Sequence, residues 1–167
     1  MSRPRDRLGR LVSSPIVSIL DKVLHSPPLA RAPIGIYRAG LGFLFGSRML
    51  MLEHTGRKTG QRRYVVLEVV AHEKPDSYVI VSGFGESAQW FRNVMAEPHV
   101  RISTGRRNAV PALARRMTQA EADAALSAYI ARHPRAWKAL REVVAESLGG
   151  RVDPPGTELP LVELTLR

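Results

Sequence analysis

Residues 49–63 read Met-Leu-Met-Leu-Glu-His-Thr-Gly-Arg-Lys-Thr-Gly-Gln-Arg-Arg, an apolar run ending in a loop that carries Arg57, Lys58, Arg62 and Arg63. Gly56 and Gly60 bracket the first pair of cations. Glycine lets the backbone turn sharply and expose its amide N–H groups, and arginine forks match phosphate and carboxylate oxygens. The chemistry on offer is capture of a polyanion. The plain alternative is a solvated hairpin turn whose charges keep the chain soluble.

The elements that must position this loop are those of one globular domain. The chain has 167 residues, 44% hydrophobic and 24% charged, enough to build a full core. It has no cysteine, which excludes disulfides and thiolate metal sites. Its net charge of +10 is unevenly spread: residues 1–63 hold twelve Lys/Arg against Asp6, Asp21 and Glu53. The excess points to an anionic partner, whether a phosphorylated cofactor, a membrane face or nucleic acid. Nucleic acid ranks last, because aromatic residues make up only 6% of the chain and none lies between Arg57 and Arg63. The longest apolar stretch, Ala39 to Phe45, is far short of the ~20 residues a membrane-spanning helix needs. No secretory leader is legible either, so the expected location is cytoplasmic.

Ser14-Pro15 reads as an N-cap and first helical position, and Ile16, Val17, Ile19, Leu20, Val23 and Leu24 follow at helical spacing. Such a helix, preceded by Arg3, Arg5, Arg7 and Arg10, either covers the core or lies on an anionic membrane surface. A second short helix is expected over Ile34–Leu44, which makes residues 1–46 an N-terminal helical segment and 47–167 the main domain. Strands are expected at Met49–Glu53, Arg63–Ala71 and Ser77–Ser82, then a Gly-rich loop and a helix over Trp90–Met95. A hairpin of Val100–Ser103 and Asn108–Met117 follows. The capping box Thr118…Glu121 opens a helix over Ala120–Ala131. Another helix runs from Pro134 to Gly149-Gly150, and Leu159–Leu166 closes as a strand. Hairpin connections with few crossover helices describe an α+β fold with an antiparallel sheet or barrel.

Other chemistries find no support. His25, His54, His72, His99 and His133 are scattered without ligand spacing, so no metal site is expected. Ser87 lacks the second glycine of a nucleophile elbow. Gly83-Phe-Gly85-Glu-Ser-Ala88 matches a dinucleotide fingerprint, but the crossover helix and parallel strand that fingerprint requires are missing.

Taken together, Leu52-Glu-His-Thr-Gly-Arg-Lys-Thr-Gly, Val81-Ser-Gly-Phe-Gly, Trp90-Phe-Arg-Asn-Val and Leu159-Pro-Leu-Val resemble the deazaflavin-dependent nitroreductase and quinone reductase family from about Tyr37 to Arg167. The resemblance implies a split β-barrel oxidoreductase using coenzyme F-420, with FMN the second choice. It implies that Thr55, Gly56, Arg57, Lys58, Thr59 and Gly60, with Arg62 or Arg63, hold the phosphate and oligoglutamate tail of the cofactor. It also implies that Ser82, Gly83, Phe84, Gly85, Trp90, Phe91 and Asn93 line the deazaflavin ring. Phe91 stands where the family carries tyrosine, and His133-Pro134 stands where nitroreductase-type members carry Tyr-Pro.

Tyr129, His133 and Trp137 are the expected acceptor-side residues, at four-residue spacing along one helical face unless Pro134 breaks it. Packing is the ordinary fate of such a stripe. The activity implied is hydride transfer from reduced F-420 to a small conjugated acceptor, a quinone, enone or nitro compound, with quinones and enones preferred over nitroimidazoles. No catalytic residue is named. The alternative is a non-catalytic carrier of a cofactor or lipid-like ligand on the same fold. The expected partners are the small-molecule acceptor and an anionic membrane face touched peripherally; a homodimer stays open.

Overall fold

The computed structural model describes residues 46–167 together with Ile34, Gly35, Arg38, Ala39 and Gly42. The helix expected over residues 16–24 lies outside the described residues, as does most of the one expected over 34–44. Whether the N-terminal segment covers the core or meets a membrane lies outside them too.

The described residues form a closed antiparallel barrel. Its strands are β1 (Met49–Thr55), β2 (Arg62–Ala71), β3 (Ser77–Val81), β4 (His99–Thr104), β5 (Arg107–Arg116) and β6 (Leu161–Leu166), in the order β1-β2-β3-β6-β5-β4. β1 closes the barrel by pairing with β4, Leu52 opposite Ile102. Between β3 and β4 lie a single 3-10 turn (Gly85–Ser87) and helix α1 (Gln89–Ala96); between β5 and β6 lie α2 (Gln119–Arg132) and α3 (Pro134–Leu148).

Alternation along each strand decides what faces inward. Leu50 and Leu52 of β1, Tyr78 and Ile80 of β3, Val100 and Ile102 of β4, Ala112 and Ala114 of β5, and Val162 and Leu164 of β6 fill the interior. Phe91 and Val94 of α1 belong to the same cluster. The opposite faces of β2, β3 and β6 present Val70, Val79 and Leu161 to α2 and α3, which cover them with Leu126, Tyr129 and Trp137. The barrel therefore has two apolar layers, one inside it and one beneath the helical pair.

Helix boundaries follow their caps. Thr118 accepts from the Glu121 amide and the Glu121 side chain answers at the Thr118 amide, a complete capping box. α2 ends at Arg132, and Pro134 starts α3 with its fixed φ and missing N–H. This corrects the reading of Tyr129, His133 and Trp137 as one helical face: Pro134 breaks the stretch and His133 is the joint. β1 runs two residues further than expected, because His54 and Thr55 still pair with Arg63 and Arg62. The loop between β1 and β2 is consequently tight, and its charges project from the rim of a rigid barrel.

That division between barrel and rim is testable by denaturation. Leu52→Ala, in a fully buried position, should lower the unfolding free energy by about 2–5 kcal/mol in urea titration. Lys58→Ala, exposed in the loop, should change it by no more than about 0.5 kcal/mol. Comparable losses in the two variants would show that the loop is part of the core structure.

Candidate functional site

The β1–β2 loop is fixed by its own backbone. Gly56 donates to the Gln61 carbonyl at 2.8 Å, and Thr59 and Gly60 donate back to the Gly56 carbonyl at 3.1 and 2.7 Å. A Cβ on Gly56 would sit 2.9 Å from Arg63 Nε and 3.0 Å from Thr59 Oγ1, so no larger residue fits without a shift. Gly60 has φ +67°, in the left-handed region. The turn leaves Arg57, Lys58, Thr59, Arg62 and Arg63 exposed. Arg62 lies 3.5 Å from the Glu53 carboxylate, whereas the Arg63 side chain runs across Gly56. Successive strand residues face opposite ways, so these two arginines serve different sides of the loop.

Arg57 is not a free cation. Its backbone amide and Nη1 both donate to Asn93 Oδ1, at 3.2 and 2.8 Å, and Nη2 donates to Gln89 Oε1 at 3.0 Å. Both acceptors belong to α1. Asn93 is buried, and its Nδ2 lies 3.3 Å from Nδ1 of His54. His54 continues the inward alternation of Leu50 and Leu52 and is equally sequestered. Burial pulls its pKa down to about 4, the Arg63 charge adds to the effect, and a hydrogen bond with the Thr55 backbone opposes it. A neutral His54 with Nδ1 accepting from Asn93 carries its proton on Nε2. The chain His54–Asn93–Arg57 thus ties the basic loop to α1 through polar groups that are all paired.

The same helix is tied to the Gly-rich loop. Arg92 Nε donates to the Glu86 carbonyl at 3.0 Å. Ser82, almost fully buried, donates from its amide to the Pro160 carbonyl at 2.9 Å and from Oγ to the Gly85 carbonyl at 2.7 Å. Gly85 has φ +63°, and a Cβ there would meet Leu148 Cδ1 at 2.8 Å; Val144 lies beside Gly83. Phe84 is the exposed residue of this loop, at 48%. Trp90 and Phe91 meet edge to face at 6.0 Å, and the Arg116 guanidinium lies 5.7 Å over the buried Phe91 ring. An open cleft of about 560 Å³ lies here, lined by Arg57, Arg92, Arg116, Glu86, Phe91 and Met95.

The structure therefore brings Thr55–Gly60, Ser82–Gly85 and Trp90–Asn93 into one connected wall. Tyr129 and Trp137 belong to the layer under the helical pair instead, and His133 lies at the exposed joint between those helices. The Tyr129 hydroxyl donates to Glu68 at 2.8 Å, and burial first, then the Glu68 charge, pushes its pKa up. His133 is exposed with its ring 5.2 Å from that of Tyr129. The Trp137 indole donates to Asp153 at 3.0 Å, and both border an open groove with Arg141 and Pro154. Sequence reasoning missed His54, Gln89, Glu86 and Arg116. For His54 a signal existed, since it sits at the even position after two inward leucines. Among the described residues no cluster of three or more His, Asp and Glu could hold a metal ion.

Residues 35–151 match the F420H(2)-dependent quinone reductase family. The chain belongs to that family. It is an F-420-dependent oxidoreductase, and coenzyme F-420 is its cofactor. No curated protein matches it. Among solved structures it is similar to an F420-H2 dependent reductase, FDR-A, at 21% identity over 70% of this chain and 93% of that one, TM-score 0.50. It is similar to a structure described as a domain-swapped dimer at 18% identity, covering 90% and 99% of the two chains, TM-score 0.53. A protein of unknown function from Agrobacterium tumefaciens is 18% identical, covering 83% and 58%, TM-score 0.51. At these identities the likeness is one of fold, the split barrel expected from the sequence.

The residues present fit an F-420 family member: cations surround a cleft whose floor includes an aromatic ring. The brace behind that cleft makes a prediction about pH. His54 binds a proton more weakly in the folded than in the unfolded chain, so its stabilising contribution is full above pH 6.5 and is lost as pH falls toward 4. His54→Gln keeps a side-chain acceptor for Asn93 but does not titrate. Thermal unfolding of this variant should lose less stability between pH 6.5 and pH 4 than the parent. Identical pH profiles would mean that His54 is not held neutral by the fold.

Proposed function

We propose that the Thr55–Gly60 loop, with Lys58 and Arg63 as its outward cations, receives the phosphate and oligoglutamate tail of F-420. The Ser82–Gly85 loop and the Trp90–Asn93 turn then receive the deazaflavin ring. The observation that carries this reading is the His54–Asn93–Arg57 chain, which joins the tail-binding loop to the ring-binding helix at a fixed spacing. A long ligand that must be held at both ends needs such a brace, because a small displacement at the reacting end costs a large factor in rate.

Bound reduced F-420 supplies a hydride, and the protein supplies orientation and shelter from water. Arg57 fixes the loop against α1, Ser82 fixes the Gly-rich loop against Pro160, and Phe91 presents an apolar face under Arg116. The acceptor is a small conjugated molecule, a quinone or enone in preference to a nitro compound. Tyr129 and Trp137 serve the core in this reading, since each already has its polar tip paired and its ring buried. A cytoplasmic location, with the basic N-terminal third able to touch an anionic membrane, belongs to the same proposal.

Titration of the purified protein with F-420, followed by intrinsic tryptophan fluorescence, tests the reading, with oxidation of the reduced cofactor by a soluble quinone as the second measurement. Micromolar binding and quinone-dependent oxidation are expected; binding with no oxidation by any quinone or enone would mark a carrier. Lys58→Ala should weaken F-420 binding about 10- to 100-fold, the effect of losing one charge-assisted hydrogen bond. Affinity for the tail-less 8-hydroxy-5-deazaflavin chromophore should stay unchanged. Equal losses for both ligands would move the tail away from this loop.

A further inference from the structure

The cofactor cleft carries its own anion. Arg57, Arg92 and Arg116 line it, and among the described residues around it Glu86 holds the one negative charge. Arg57 is already committed, with its two terminal nitrogens bonded to Asn93 and Gln89. Arg92 donates from Nε to the Glu86 carbonyl, which leaves its terminal nitrogens for a ligand. Arg116 lies over the Phe91 ring and gives Nη2 to the Glu86 carboxylate. The backbone of Glu86 thus anchors one arginine while its side chain occupies another.

The turn that carries Glu86 is fixed, and its side chain is not. Ser82 Oγ holds the Gly85 carbonyl and Arg92 holds that of Glu86. The carboxylate and its guanidinium partner are each more than half exposed, and pairs between such groups are worth little. A phosphate or carboxylate oxygen offers Arg116 the same charge-assisted hydrogen bond, so an incoming anion can take the place of Glu86. Three guanidiniums around one empty cleft repel one another, and a resident carboxylate lowers that cost in the free protein. Because Glu86 is tethered beside Arg116, it competes at a high effective concentration and returns when the ligand leaves.

We propose that Glu86 is an intramolecular competitor of the cofactor: its carboxylate masks Arg116 in the free protein and is displaced by an anionic group of the F-420 tail, the phosphate or a glutamate carboxylate. The assignment rests on the F-420 reading above and deepens it, since it names a residue that opposes binding where the loop cations favour it. Glu86 then sets how tightly the tail is held and how readily it is released. Arg116 is the residue that changes partner, and the Gly-rich turn stays in place while it does so.

The test uses the full chain with F-420, F-420 stripped of its glutamates, the tail-less 8-hydroxy-5-deazaflavin chromophore and inorganic pyrophosphate. Each is titrated at low ionic strength, where exposed charges are least screened. Tryptophan fluorescence reads the first three and calorimetry the last. Glu86→Gln keeps the backbone carbonyl that Arg92 holds and removes the counter-anion. It should tighten F-420 and pyrophosphate binding about 2- to 5-fold, the effect of an exposed ion pair of this kind. Most of that gain should appear as slower release of F-420 in stopped flow. Arg116→Gln should weaken both ligands by about 10-fold or more. The tail-less chromophore should bind all these proteins equally well. The same gain with glutamate-free F-420 would identify the phosphate as the displacing group, and a gain confined to full-length F-420 would identify a glutamate carboxylate. Glu97→Gln removes an acid bonded to His99 just beyond α1 and should change none of the affinities. Unchanged F-420 and pyrophosphate affinities in Glu86→Gln would overturn the proposal. So would an equal gain in Glu97→Gln, or a gain that already appears with the tail-less chromophore. Should the parent bind no F-420, the functional reading falls, while the pyrophosphate titration still decides whether Glu86 masks Arg116.

Discussion

Everything at the functional end of this barrel depends on one buried carboxamide. Asn93 accepts from the Arg57 amide and guanidinium with its oxygen and faces the His54 ring with its nitrogen. A loop with four cations would otherwise be held by a hairpin alone, and like charges at that spacing repel. The Asn93 contacts fix one of those cations with directional bonds to a buried side chain, whose oxygen left unpaired would cost about 1–3 kcal/mol. Neutrality of His54 is part of the arrangement, since a charged imidazole beside Arg63 would push the loop outward. The basic face of the loop is therefore set before any ligand arrives, which lowers the ordering cost that the proposed binding of an anion would meet.

The barrel gives this hub its rigidity. β1 is paired on both sides, with β2 along its whole length and with β4 at Met51–Glu53. His54 enters the site one step beyond that doubly paired stretch, so its ring direction is inherited from the register. α1 packs Phe91 and Val94 into the same interior cluster as Leu50 and Leu52. Loop and helix thus share a core, and their polar contacts sit on top of a common apolar base. The helical pair α2–α3 has a different role: it covers the outer face of β2, β3 and β6 and closes the Gly-rich loop from behind through Val144 and Leu148.

Much of this was legible in the residue order. Period-two patterns located all the strands, the Thr118…Glu121 box located the start of α2, and Pro134 located the break after it. The basic loop announced itself by composition, and its joint occurrence with the Trp-Phe-Arg-Asn turn named the family that residues 35–151 then matched. What stayed hidden were relations across long separations. Nothing local says that Arg57 will meet Asn93 and Gln89, or that Arg116 will lie over Phe91 and reach Glu86. Tyr129 and Trp137 looked available because aromatic spacing cannot reveal that Glu68 and Asp153 wait for their polar tips. Closure of the barrel through β1 and β4 was equally silent, since no turn connects those strands.

Hydrogen–deuterium exchange with and without F-420 tests the central claim most directly, because it reports on backbone amides and needs no turnover. The account requires protection to appear together in residues 55–61, in 82–87 and at the start of α1, the three segments that the Asn93 hub and the Arg92–Glu86 contact join. Helix α2 and the Pro134 joint should exchange as before. Protection confined to residues 129–137, or protection of the Gly-rich loop with none in residues 55–61, would contradict it.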